Sequence, residues 1–352
     1  MTTAPSRPLE GHAPQPVTSA LPHHGAPHQA SARRGSGFAS PPAPPPSREE
    51  ARSASGGVAE SRGLLLGLLG VAIFALTLPM TRLAVGTPES PLMSGLFIAM
   101  GRAAVAGVLS MALLAWQRAP LPGRADWVPL ALTAAGVVFG FPLLTSWAMR
   151  HVGAVHAAVI IGLLPLATAA AGALLHRQRP SGAFWACALL GSGLVVGYAL
   201  LRSGQEGLAL HPADLLLMAA VLCAAGGYAW GGRLAQRMRA NAVICWALVL
   251  SLPATLPLAL WSWPRTAMPA AAWGGFAYVA VFSMWLGFFA WYRGLALGGT
   301  VRVSQTQLAQ PFMSMLFAVP LLGERLDAVS LGFGLAVLAT VAIGRRLPVQ
   351  KR

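Results

Sequence analysis

HVGAVHAAVIIGLLPLATAAAGALLHRQRP (151–180) and LGGTVRVSQTQLAQPFMSMLFAVPLLGERL (297–326) are one pattern written twice, 146 residues apart. Pro165 falls on Pro311, Gly153 on Gly299 and Val155 on Val301; without a gap, Trp127 falls on Trp273. A shift of 151 lays TRLA (81–84) on GRLA (232–235), so Arg82 meets Arg233. Apolar residues match one another easily by chance, so the shared proline, tryptophan and arginine carry the comparison. The chain contains an internal repeat about five apolar stretches long.

Each stretch is close to the ~20 residues that cross a hydrocarbon core ~30 Å thick. From residue 63 such runs follow one another with short breaks: 63–84, 92–116, 127–149, 152–175, 182–201, 213–232, 242–263, 271–292, 299–322 and 328–346. Composition agrees: the 352 residues are 55% hydrophobic and 10% charged, and mean hydropathy is +0.61. A cytosolic enzyme, a disordered regulator and a secreted disulfide scaffold are excluded. The fold class expected is an all-α polytopic membrane protein of about ten transmembrane helices. Residues 1–62 hold eleven of the 28 prolines and read as a disordered tail; residues 347–352 read as a basic C-terminal tail.

The net charge of +15 comes from arginines scattered singly between apolar runs, so they set orientation and form no face for nucleic acid. With the N-terminus cytoplasmic, fifteen basic residues flank the inner ends of the runs and four the outer ends. Both termini are therefore expected inside, which requires an even number of crossings. A repeat of five crossings enters the bilayer from opposite sides in its two copies. The result is two inverted five-helix repeats, 63–201 and 213–346. Secondary transporters use such pairs, with the site near the midplane between halves.

The residues also resemble a known family. The stretch around Pro165, QPFMSMLFAVPLLGERL (310–326), LGFGLAVLATVAIGRR (331–346) and FALTLPMTRLA (74–84) are similar to the drug/metabolite transporter superfamily, specifically its ten-helix proteins with two EamA domains. Phe74 stands where the family usually has Trp, Arg82 where it has Lys, and Gln178 where it has Glu; Glu324 keeps the second carboxylate. The resemblance implies an inner-membrane carrier, commonly an exporter of amino acids or related metabolites.

Few residues are suited to chemistry. No Asp or Glu occurs between Asp126 and Glu206 or between Asp214 and Glu324. A mid-depth carboxylate for proton coupling is therefore missing, and His156 is the titratable alternative. Arg102 lies near the middle of a span and should face the bundle interior, either to attract an anionic substrate or to bond a neighbouring helix. Thr300, Ser304, Gln307, Pro311 and Ser314 share one helix face by spacing. The matched face in the first copy (Ala154, Ala158, Ile161, Pro165, Thr168) is less polar, so hydrogen bonding is expected from the second half. Gln307 and Ser304 are candidates for substrate contact or for interhelical bonding.

Tyr228 matches Thr77 under the 151-residue shift, which sets both near the axis between copies. Trp285, Trp230 and Trp147 are further candidates for a cavity wall. Pro165 and Pro311 are candidate hinges or static kinks. Trp116, Trp127, Trp261, Trp263 and Trp273 sit at span ends and read as interface anchors. No cofactor, metal site or catalytic residue is assigned; partners are a small-molecule substrate and the lipid bilayer. The function expected is secondary transport, as an exporter of a small metabolite such as an amino acid. The alternative is a flippase or exporter of lipids or hydrophobic compounds; a membrane-embedded enzyme lacks the residues for it.

Overall fold

Both copies of the repeat contain a helix whose winding loosens at its middle. The computed structural model describes residues 48–87, 90–151, 157, 160–176, 178–202, 212–322, 328–344 and 349–351. Residues 1–47 lie outside this set. The helical body runs α1 (Arg48–Ala75), α2 (Thr77–Val85), α3 (Gly95–Trp116), α4 (Trp127–Ala134), α5 (Phe141–His151), α6 (Leu164–His176), α7 (Gly182–Arg202), α8 (Pro212–Leu234), α9 (Ala240–Trp261), α10 (Ala270–Tyr278), α11 (Gly287–Gly298), α12 (Thr300–Val303), α13 (Gln310–Leu322) and α14 (Ala328–Gly344). A π-helical segment, Ala135–Gly140, joins α4 to α5, and another, Val279–Leu286, joins α10 to α11. The 146-residue shift carries the first onto the second and the start of α5 onto the start of α11. π segments inside helices are rare and concentrate at functional sites.

Six continuous helical stretches are long and apolar enough to cross a membrane among the described residues: Val58–Val85, Gly95–Trp116, Arg124–His151, Ala213–Leu234, Ala240–Trp261 and Ala270–Gly298. The other four predicted spans are shorter, interrupted or only partly within the described residues. The first helix begins at Arg48, inside the expected tail. Pro46 is the last proline there, and REEARSA has good helix propensity. The C-terminal tail also departs from expectation, because β2 (Val349–Lys351) pairs antiparallel with β1 (Gln178–Pro180).

Small residues set the closest helix contacts. At Gly294 a Cβ would lie 2.8 Å from the Gly63 carbonyl oxygen and 2.8 Å from the Gly67 amide nitrogen, so α1 and α11 meet backbone to backbone. At Gly136 a Cβ would lie 2.3 Å from the Cys223 carbonyl, which brings α8 equally close to the α4–α5 unit. Such approaches supply packing that apolar side chains cannot gain against lipid. The α1–α11 and α8–α4/α5 contacts exchange under the repeat. The α3–α9 and α7–α14 contacts map onto themselves. Exposed Trp116, Trp261 and Trp263 lie at helix ends, as expected of an aromatic belt.

Candidate functional site

Arg102, on α3, is 3% exposed. Its Nη2 donates to the Ser283 hydroxyl at 2.8 Å, and that hydroxyl lies 2.7 Å from Thr77 Oγ1. Three helical units are thereby tied at one point: α2 at its first residue, α3, and the π segment that carries Ser283. Leu76 breaks the helix before Thr77, and Pro79 removes the amide that would have bonded the Ala75 carbonyl. That carbonyl is instead satisfied by the Ser314 hydroxyl of α13 at 2.5 Å.

Around Arg102 lies a small, tightly walled cavity with room for about one water. Thr77, Arg102, Ser283 and Gln310 supply its polar surface, and Phe74, Phe141, Phe288 and Tyr228 its aromatic walls. Tyr228 lies parallel to Phe74, ring centroids 6.4 Å apart, and is tilted against Trp291 at 5.2 Å. A second space, smaller still, shares Leu78, Ile161, Leu164 and Gln310 with the first and adds Gln307, Pro311 and Ser314. The two form one cleft with a guanidinium toward one end and an amide toward the other. No acidic residue lines it among the described residues.

Positions related by the 146-residue shift line this cleft in pairs: Val137 and Ser283, Ile161 and Gln307, Leu164 and Gln310. In each pair the second copy contributes the polar member. Thr77 and Tyr228, related by the 151-residue shift, both line it as well.

The structure thus brings Thr77, Arg102, Tyr228 and Gln307 to one cleft. It does not bring Ser304 there: that hydroxyl donates to its own Val301 carbonyl at 2.8 Å. Trp285 packs on Phe289, centroids 5.1 Å apart, in a cluster with Leu114 and Cys245 away from the cleft. Trp147 is 44% exposed, and Trp230 lies under the Arg233 guanidinium. His156 lies outside the described residues. Pro165 and Pro311 are each the second residue of a helix, α6 and α13, preceded by tighter winding. A proline in the first helical turn has no amide to lose, so Pro165, after the turn at 162–163, kinks no continuous helix, whereas Pro311 stands where the 3₁₀ winding of Ser304–Ala309 passes without a break into α13.

Ser283 and Gln310 were not singled out from the sequence. A serine is unremarked in an apolar span, but the shift that pairs it with Val137 was a usable signal. Gln310 is missed because Ser304–Ala309 winds as a 3₁₀ helix, which stacks residues three apart. Gln307 and Gln310 therefore share the cleft, and Pro311, to which the 3.6-residue period points, lines it as well.

The Nε of Arg102 and both amide atoms of Gln307 are buried without a hydrogen-bond partner among the described residues. Gln305 is buried in the same way but lines neither space, so its amide carries no such reading. Buried polar groups are nearly always satisfied in folded proteins. Where they adjoin a cavity, a ligand or water is the natural partner.

Comparison with known proteins agrees. Residues 61–201 and 211–345 each match the EamA-like transporter family. The chain is 43% identical over 290 residues to the uncharacterized transporter YdeK of Bacillus subtilis strain 168, covering 81% of this chain and 98% of that protein. A solved crystal structure, 16% identical, superposes over 81% of this chain and 98% of its own with a TM-score of 0.65, a likeness of fold. With its long apolar helices, the protein is an integral, multi-pass membrane protein, and its family and its relative point to a transporter. The chain belongs to the EamA-like transporter family.

Proposed function

We propose that the protein is a secondary transporter that exports a small metabolite of amino-acid size across the bacterial inner membrane. It does so by alternating access between two inverted five-helix repeats. The observation that carries this reading is the cleft built from matched positions of both copies. A site on the axis between inverted repeats is where rocking of one against the other exposes the same residues to either side.

The threading of ten spans with both termini inside is supported by the polar contacts between loops and helix ends. Glu60 pairs with Arg302, Asn241 bonds Gln117 at 3.3 Å, Arg237 faces Asp126 at 3.8 Å, and Gln178 registers with Lys351. All eight residues belong to ends expected inside. Arg82 donates to the Met149 carbonyl at 2.7 Å and Arg150 to that of Met93 at 3.4 Å, joining ends expected outside. None of these contacts joins opposite sides. The polar cleft favours a water-soluble substrate over the lipid alternative.

The test uses single cysteines at positions 77 and 310 after Cys187, Cys223 and Cys245 are replaced by serine. Membrane-impermeant maleimide should reach both positions from either face, in right-side-out and inverted vesicles, and transported substrate should slow the labelling. Labelling from one face alone, whatever substrate is present, would exclude alternating access at this cleft.

A further inference from the structure

Resting on that reading of the chain as a carrier, we infer that the cleft takes an organic monoanion: one carboxylate on an apolar, ring-sized body, with no ammonium group. Three observations converge on this chemistry. The first is charge. Arg102 brings one positive charge into an enclosed space, and no described lining residue is acidic. A monoanion cancels that charge. A zwitterionic amino acid leaves its ammonium uncompensated, an amine doubles the charge, and a dianion reverses it. Each such remainder is costly in a site withdrawn from water.

The second observation is unspent donor capacity. A guanidinium has five N–H donors in a planar fork that matches a carboxylate. Arg102 has one described hydrogen bond, to Ser283, and its Nε is buried without a partner. Ser283 and Thr77 hold the side chain from one side, so the fork is positioned rather than mobile. The third is the wall. Phe74, Phe141, Phe288 and Tyr228 offer flat apolar surface beside the charge; they close around room for about one water, so a ring enters as these walls part, and they offer no anionic partner to an ammonium. At the other end of the cleft the unpartnered Gln307 amide, with one donor group and one acceptor, suits a neutral polar group on the distal part of the substrate.

The proposal is tested with four probes of one body and different charge: hydrocinnamate, phenylalanine, phenylpropylamine and phenylpropanol. Their affinities are ranked by thermal stabilisation of the purified full-length protein in detergent. Hydrocinnamate should bind at least about tenfold more tightly than each of the others, the scale of a charge-assisted bidentate contact. Arg102→Met should abolish that preference. Ser283→Ala, which keeps the charge but loosens its support, should weaken hydrocinnamate several-fold and provides the comparison should Arg102→Met fail to fold.

Equal or tighter binding of phenylalanine or the amine overturns the assignment. So does an anion preference that survives Arg102→Met, or one left unchanged by Ser283→Ala, or the absence of binding by all four. Uptake of the same probes into proteoliposomes separates the two readings. Preferential movement of phenylalanine overturns the substrate class and leaves the carrier standing. Hydrocinnamate bound through Arg102 but never moved overturns the carrier and leaves the class standing.

Discussion

At the scale of single residues, the polar stripe on the ninth predicted span divides into groups that hold the fold and a group that does not. Ser314 satisfies the carbonyl that Pro79 leaves open, and Ser304 closes its own turn. Gln307, 2% exposed, has no hydrogen-bond partner among the described residues. Two substitutions should therefore have opposite signatures. Ser314→Ala leaves the Ala75 carbonyl unpaired and should lower stability by about 1 kcal/mol or more. Gln307→Leu removes two buried polar atoms without partners, so stability should hold or rise by about 1 kcal/mol while transport falls. Thermal unfolding in detergent, read beside flux in proteoliposomes, checks both; a Gln307→Leu protein that is destabilised yet fully active would assign the amide to packing. Charge and polarity within apolar runs made Arg102, Thr77, Tyr228 and Gln307 legible in the sequence. The partner of each group was not, because facing a neighbour and bonding it look alike in a periodicity.

At the scale of elements, the sequence shows where helices run and conceals how they wind. Trp127, Trp273, Pro165 and Pro311 mark the repeat, yet nothing in AGVVFG (135–140) announces a π segment, which depends on the packing of α8 against it. The prolines were legible as special positions but not as helix starts, since the changes of winding at Gly162 and Ser304 carry no strong turn signal. The close seams were half legible. A Cβ at Gly67 would lie 2.5 Å from Val303 Cγ1, whereas a Cβ at Gly193, Gly197 or Gly332 would meet nothing within 4 Å. Adding a methyl group should therefore sort the glycines sharply. Gly294→Ala drives a Cβ into the backbone of α1 and should cost about 2 kcal/mol or more, the scale of overpacking. Gly274→Ala, on an open face where a Cβ meets nothing within 4 Å, should be neutral or slightly stabilising. Equal melting temperatures for the two variants would mean that α1 and α11 are not held at the distance the structure gives.

At the scale of the whole molecule, the fixed charge of the cleft constrains the transport cycle. Alternating access passes through a state in which the site is closed to both sides. With the site empty, that state encloses a guanidinium with one described hydrogen bond and no described acidic partner in its cleft, a penalty of several kcal/mol in low dielectric. With an anion bound, the charges cancel and the same closure is far easier. Loaded reorientation should therefore outrun empty reorientation, and the protein should behave as an exchanger. Proteoliposomes preloaded with labelled hydrocinnamate provide the measurement. Unlabelled hydrocinnamate outside should accelerate the loss of label about tenfold or more, because each 1.4 kcal/mol removed from a barrier is a factor of ten in rate. In Arg102→Met, which no longer encloses an unpaired charge, whatever flux remains should lose its dependence on the opposite side. Efflux into substrate-free buffer as fast as exchange would show that the empty site closes without penalty, and hence that water or a small ion neutralises Arg102 during the return.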